Sequence, residues 1–127
     1  MPSKLRTKRI ADRIQELLSE MLITGKISDP RLASVFITDV TVDRELSFAN
    51  IFISSLEGKS QSAEILAGLA HASGYLRSSL AHEIDLRTFP ILRFYWDETP
   101  ERAEHIEQLL DSISETNTTD DDQENRF

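Results

Sequence analysis

Apolar positions recur along this chain in two distinct periods. Ile10, Ile14, Leu17, Leu18, Met21 and Leu22 fall at three- and four-residue steps, the spacing that keeps side chains on one face of an α-helix. Gly25 follows and suits a helix C-terminal cap. Ser28-Asp29-Pro30-Arg31 reads as a turn, because Pro30 disfavours helix at Asp29 and fixes its own backbone. From Val35 to Val42 the period becomes two, with Val40 and Val42 on one face. Phe48 to Ser54 repeats it, placing Ala49, Ile51 and Ile53 on one face and Asn50 and Phe52 on the other. The polar link Asp43-Arg44-Glu45-Leu46 is short, so the two strands are predicted to form an antiparallel hairpin.

Helical spacing returns after Gly58-Lys59-Ser60, with Ser60 or Ser62 as N-cap candidates. Ile65, Leu69, Ala72, Leu76 and Leu80 share a face. Gly74 interrupts that pattern at a cost of about 1 kcal/mol relative to alanine. A break between two helices is therefore expected there. Beyond Pro90, Leu92 to Trp96 alternates as a strand. Phe94 and Trp96 point to the core, and Arg93 and Tyr95 to the opposite face, which Phe52 shares in one register. Thr99-Pro100 starts a last helix, apolar at Ala103, Ile106, Leu110 and Ile113 and acidic at Glu101, Glu104, Glu107 and Asp111. Past Glu115 the periodicity ends, which predicts a disordered acidic tail over 116–127. The order α-β-β-α-α-β-α predicts an α+β domain over 1–115, with helices on one face of a three-stranded sheet. Strand, helix, glycine break, helix, strand is the layout of a K-homology (KH) nucleic-acid-binding unit.

The net charge of −8 argues at first against a nucleic-acid partner. Its distribution changes that picture. Eleven acidic and two basic residues lie between Asp97 and Phe127, leaving twelve basic and eleven acidic in residues 1–96. Lys4, Arg6, Lys8 and Arg9 stand in the first nine residues without an acid. A local field, not the chain total, governs association, so this segment reads as a phosphate-attracting arm. Arg6, Arg9 and Arg13 fall on one helix flank. Arg31, Arg77, Arg87 and Arg93 are further RNA-contact candidates, with Arg77 one turn beyond Gly74. Lys59 is one more basic residue, read as a solvated surface charge like any of these taken alone.

Other chemistry finds little support. The chain has no cysteine, which excludes disulfides and thiolate metal sites. In a straight helix His71 and His82 would stand roughly 16 Å apart, too far to share an ion. His82-Glu83-Ile84-Asp85 reads as a solvated helix end rather than a metal site. The glycines at 25, 58, 68 and 74 form no phosphate-binding loop. No apolar run reaches the roughly 20 residues that span a bilayer. A cytoplasmic protein with no cofactor, metal or small-molecule substrate is expected. Two functions remain in play: an RNA-binding factor, or a protein-interaction module that recruits a partner with its acidic last helix. No acid–base pair stands out to support an enzyme acting on RNA.

The order of elements carries a set of local sequences with it. These are Asp29-Pro30-Arg31, Val40-Thr41-Val42-Asp43-Arg44-Glu45-Leu46, Ala49-Asn50-Ile51-Phe52-Ile53 and Ala72-Ser73-Gly74-Tyr75-Leu76-Arg77-Ser78-Ser79-Leu80. Arg87, Pro90, Leu92, Phe94 and Asp97 follow. Together, over about residues 4–113, they resemble the bacterial ribosome-binding factor A family. The resemblance implies a type II KH fold in which a kink at Ala72-Ser73-Gly74 replaces the usual Gly-x-x-Gly loop. It also implies a monomeric late assembly factor that binds the free 30S subunit through 16S rRNA. Such factors assist processing of the 16S rRNA 5′ region, matter most in the cold and leave before translation. This chain departs from the family where Ala81, His82, Glu83 and Asp85 replace a usually basic stretch. That shifts the expected RNA contact to the N-terminal arm and to Arg77, Arg87 and Arg93.

Overall fold

The computed structural model describes residues 4–124, with side-chain surroundings through residue 113. The chain falls into two compact units, residues 1–97 and 98–127. The first unit opens with α1 (Lys4–Ile23). The basic segment is thus no separate arm: from Lys4 onward it forms the first turns of α1, where lysine, arginine and leucine are good helix formers. Gly25 then takes a left-handed φ of 71°, the cap conformation its position suggested. A short 3₁₀ turn, η1 (Pro30–Leu32), follows, capped by the Asp29 side chain, which accepts from the Arg31 N–H at 3.0 Å.

Strands β1 (Val35–Val42) and β2 (Phe48–Ser55) pair antiparallel, with Val40 opposite Ile51 and Val42 opposite Ala49. The register shifts between Ile37 and Asp39, making a bulge at Thr38. Thr38 Oγ1 donates from there to the Phe52 carbonyl at 3.2 Å and to Asp97 Oδ2 at 2.5 Å. The hairpin link closes on Asp43, whose carboxylate accepts from the Phe48 N–H at 2.8 Å. Leu46 adopts φ 58° in that link, and its side chain packs on the core.

A second 3₁₀ turn, η2 (Lys59–Gln61), leads into α2 (Ser62–Glu83). Neither serine expected as N-cap serves: Gln61 occupies that position and makes no side-chain capping bond. The break expected at Ala72, Ser73 and Gly74 is also corrected. One α-helix of 22 residues runs through all three, and Gly74 has no left-handed φ. The propensity cost of one glycine is small beside the burial of Ile65, Leu69, Leu76 and Leu80 on the same helix. The order of regular elements is therefore α-β-β-α-β-α.

The crossover through α2 returns the chain to pair β3 (Ile91–Trp96) parallel to β2, giving the order β1-β2-β3. Ala49, Ile51, Ile53, Val40 and Leu92 of the sheet share one buried cluster with Ile10, Ile14, Leu18 and Met21 of α1 and with the buried face of α2. Both helices thus cover one face of the sheet, as the α+β reading expected. The second unit consists of α3 (Thr99–Glu124). The helix continues past Glu115, where the periodic pattern ends, and the side chains of the expected tail lie outside the described residues.

Candidate nucleic-acid interface

The helix period sorts the basic residues of α1 into two groups. Arg6, Arg9 and Arg13 follow one another at one-turn steps, all exposed. Arg13 opens onto a groove between the helices, with Glu20 and Lys26 on its own side and Tyr75, Ser79 and Glu83 of α2 across from it. Tyr75 is 55% exposed. Lys4 and Lys8 face the other way, along a groove with Asp39 and Thr41 of β1. Lys8 and Arg13 each pair with an acid of their own helix. Lys8 Nζ meets Asp12 at 2.8 Å, and Arg13 Nη1 meets Glu16 at 2.9 Å. The hydrogen bond from Lys8 to Asp12 holds Lys8 protonated above its ordinary range. Exposed pairs of this kind contribute little and open readily to a stronger anion.

Gly74 sits beside Tyr75 on the ridge of α2 and opens a second groove, with Arg77, Ser78 and Ala81 on the helix and Arg87 and Phe89 on the approach to β3. A side chain added at Gly74 would meet nothing within 4 Å. The helix backbone is therefore bare there, so a second backbone can come close. The three residues expected as a kink thus form an uncovered stretch of helix. The two grooves flank this ridge, with Arg13 and Tyr75 on one and Gly74 and Arg87 on the other.

The remaining candidates are placed elsewhere. Arg77 donates from Nε to the Pro90 carbonyl at 3.1 Å and from Nη2 to the Phe89 carbonyl at 2.6 Å. It ties α2 to the chain entering β3. Arg31 grips Asp29, with Nη2 2.6 Å from Oδ2 and Nε 3.0 Å from Oδ1. These bonds hold the Asp29 carboxyl below its usual range and the Arg31 guanidinium above its own. Arg93 lies on the opposite sheet face, its guanidinium carbon 3.3 Å from the Phe48 ring centroid. There Phe52 stacks on Tyr95 with centroids 5.6 Å apart, which settles the register left open by the sequence.

One residue gives no sign of its role in the sequence. Gly68 is buried where η1 crosses α2, and a Cβ there would stand 3.2 Å from Asp29 Oδ2 and 3.3 Å from both Arg31 Nε and Leu32 Cδ2. Only the meeting of two elements far apart in the chain gives it meaning, and no local signal does. Among the described residues, no group of three or more His, Cys, Asp or Glu side chains is placed to hold a metal ion. Among the same residues, no helix is long and apolar enough to cross a membrane.

A mixed three-stranded sheet with a parallel β2–β3 pair, covered on one face by α1 and α2, defines a KH-like domain. The fold matches the crystal structure of ribosome-binding factor A from Thermus thermophilus with a TM-score of 0.61, at 20% identity over 70% of this chain and 93% of that one. Residues 6–110 match the family model for ribosome-binding factor A. The chain belongs to the ribosome-binding factor A family. It is 49% identical to the ribosome-binding factor A of Alcanivorax borkumensis over 84% of this chain and 77% of the relative. With that of Clostridioides difficile it is 37% identical over 98% of each. A further match is a homology model of the Thermus thermophilus protein fitted into a cryo-EM map of a 30S complex, with TM-score 0.51 and 22% identity over 68% of this chain and 93% of that one.

Proposed function

We propose that this chain is a non-catalytic assembly factor of the cytoplasm. It binds the free 30S ribosomal subunit as a monomer through 16S rRNA, and promotes late 30S maturation and processing of the 16S rRNA 5′ region. Family membership supports the class of partner, and the 30S complex of the Thermus thermophilus relative supports the particle. The observation that carries the RNA reading is the exposed arginine row of α1, Arg6, Arg9 and Arg13, whose last member shares a groove with Tyr75, the neighbour of the bare Gly74. Three guanidiniums at one-turn steps present planar donors to successive phosphates. Lys4, Lys8 and Arg87 extend the field on either side. Arg31 and Arg77 first hold the scaffold and offer RNA only their remaining donors, and Arg93 serves a separate surface. A role in cold growth follows from the same reading, since RNA misfolding traps deepen as temperature falls.

The test is depletion in the source cell. Loss of the protein should raise the fraction of 16S rRNA with an unprocessed 5′ end, more so in the cold. Re-expression of the native chain should restore processing, whereas a chain with Arg6, Arg9 and Arg13 all changed to Ala should not. Normal 5′ processing after depletion would overturn the maturation role.

A further inference from the structure

The groove between α1 and α2 carries a chemistry that phosphate contact leaves unused. Its cavity measures about 230 Å³. That is below the roughly 300–1,000 Å³ of a drug-sized pocket and suits one planar ring system. Met21 and Leu80, both buried, form its apolar floor. Glu20 on the α1 side and Glu83 of α2 face each other across it, and Lys26, just beyond α1, completes the rim. Among the described residues, the side chains of Glu20, Lys26 and Glu83 form no ion pair and no hydrogen bond. Two carboxylates and an ammonium thus stand unpartnered round an apolar floor, beside the exposed Tyr75 ring.

We propose that this groove captures one unpaired guanine of the bound rRNA. The inference rests on the RNA reading above and adds base recognition to it. The two acids repel a phosphate, so the RNA backbone stays outside, at Arg13, which belongs to both the arginine row and the groove. An unstacked base carries no charge and presents a face and an edge. Tyr75 offers the stacking surface for the face. The edge selects the base. Guanine alone sets two adjacent donors, N1–H and the N2 amine, against one carboxylate, and its O6 and N7 accept from a lysine. Adenine and cytosine place an acceptor nitrogen beside a single amine, and uracil flanks its one N–H with two carbonyls. Each of these would bring a lone pair against a carboxylate oxygen.

The test uses the full chain and four labelled single-stranded RNAs, uridine throughout except for one central position that is G, A, C or U, with binding read by fluorescence anisotropy. The guanine RNA is expected to bind about tenfold tighter than the other three. The double variant Glu20→Gln, Glu83→Gln should bind all four alike, at the native melting midpoint. Tyr75→Ala should lose about tenfold on the guanine RNA, and Tyr75→Phe should recover it. Equal native affinity for the four RNAs, binding to none of them, or a guanine preference that survives the double variant would overturn the proposal. So would a double variant that weakens on free small subunits when the native chain shows no base preference, since the occupant is then a cationic side chain of a ribosomal protein. Co-sedimentation with free small subunits separates the two readings. Native binding there without a base preference removes only the guanine site, whereas binding to neither subunits nor any RNA removes the RNA reading itself.

Discussion

Two glycines of α2 should respond in opposite directions to the same substitution. Gly74 is helical and solvent-facing, with open space around the position of a Cβ. Alanine there removes the backbone entropy that glycine loses on folding, which is worth about 0.5–1 kcal/mol in a helix interior. For a unit of this size that corresponds to a rise of about 5 °C in melting midpoint. Gly68 has the same intrinsic preference for alanine but no room. Its Cβ would press on Asp29, on Arg31 and on Leu32, which is 3% exposed and so has nowhere to move. Overpacking costs about 1–3 kcal/mol, so the net effect of Gly68→Ala is a loss of about 1 kcal/mol. Urea and thermal melts of both variants, followed by far-UV circular dichroism, measure the two effects. A Gly74→Ala chain that melts at or below the native midpoint would restore the break between two helices. A Gly68→Ala chain that melts higher would mean that η1 does not lie tightly on α2.

Arg77→Met should leave the Phe89 and Pro90 carbonyls without their donors and cost about 1–3 kcal/mol in a urea melt. Unchanged stability with weaker subunit binding would instead make Arg77 an RNA contact. Asp29 titrates below its ordinary range when folded, chiefly through its hydrogen bonds from Arg31, so its contribution is fully present above the unfolded value and fades as pH falls through the folded one. The stability gap between the native chain and Asp29→Asn should stay constant near neutrality and close below about pH 4 in a series of melts. A gap that widens in acid would refute the pairing. A chain ending at Glu115 should keep the native midpoint, because the residues beyond it add no apolar position to the repeat of α3. A lower midpoint would show that the acidic segment is part of a folded unit.

The hairpin was legible because the alternation at Val40 and Val42 and at Ala49, Ile51 and Ile53 has one physical meaning, a sheet with one buried face. The helical stripes of α1 and α2 were legible for the same reason. The break expected at Gly74 rests on local propensity alone. Propensity lost to the burial of Leu69 and Leu76 on either side of it. Arg77 looks like any other cation in the sequence, since its carbonyl partners arrive only when the chain turns back toward β3. Arg31 is visible as a charge, but its clasp on Asp29 depends on the 3₁₀ turn that begins between them. Of the candidate site, the row of Arg6, Arg9 and Arg13 followed from helical spacing. The neighbouring groove with Tyr75 did not, because helix crossing is a tertiary fact.

Co-sedimentation of the native chain with purified free 30S subunits across a salt series tests the central reading most directly. Binding at low salt should fall steeply as salt rises, with a log–log slope of about −0.7 to −0.9 for each phosphate neutralised. Replacing Arg6, Arg9 and Arg13 with Ala should weaken that binding and flatten the slope by up to about three contacts, at an unchanged melting midpoint. Binding that ignores salt, or a folded triple variant that binds with the native slope, would show that the arginine row of α1 does not meet RNA.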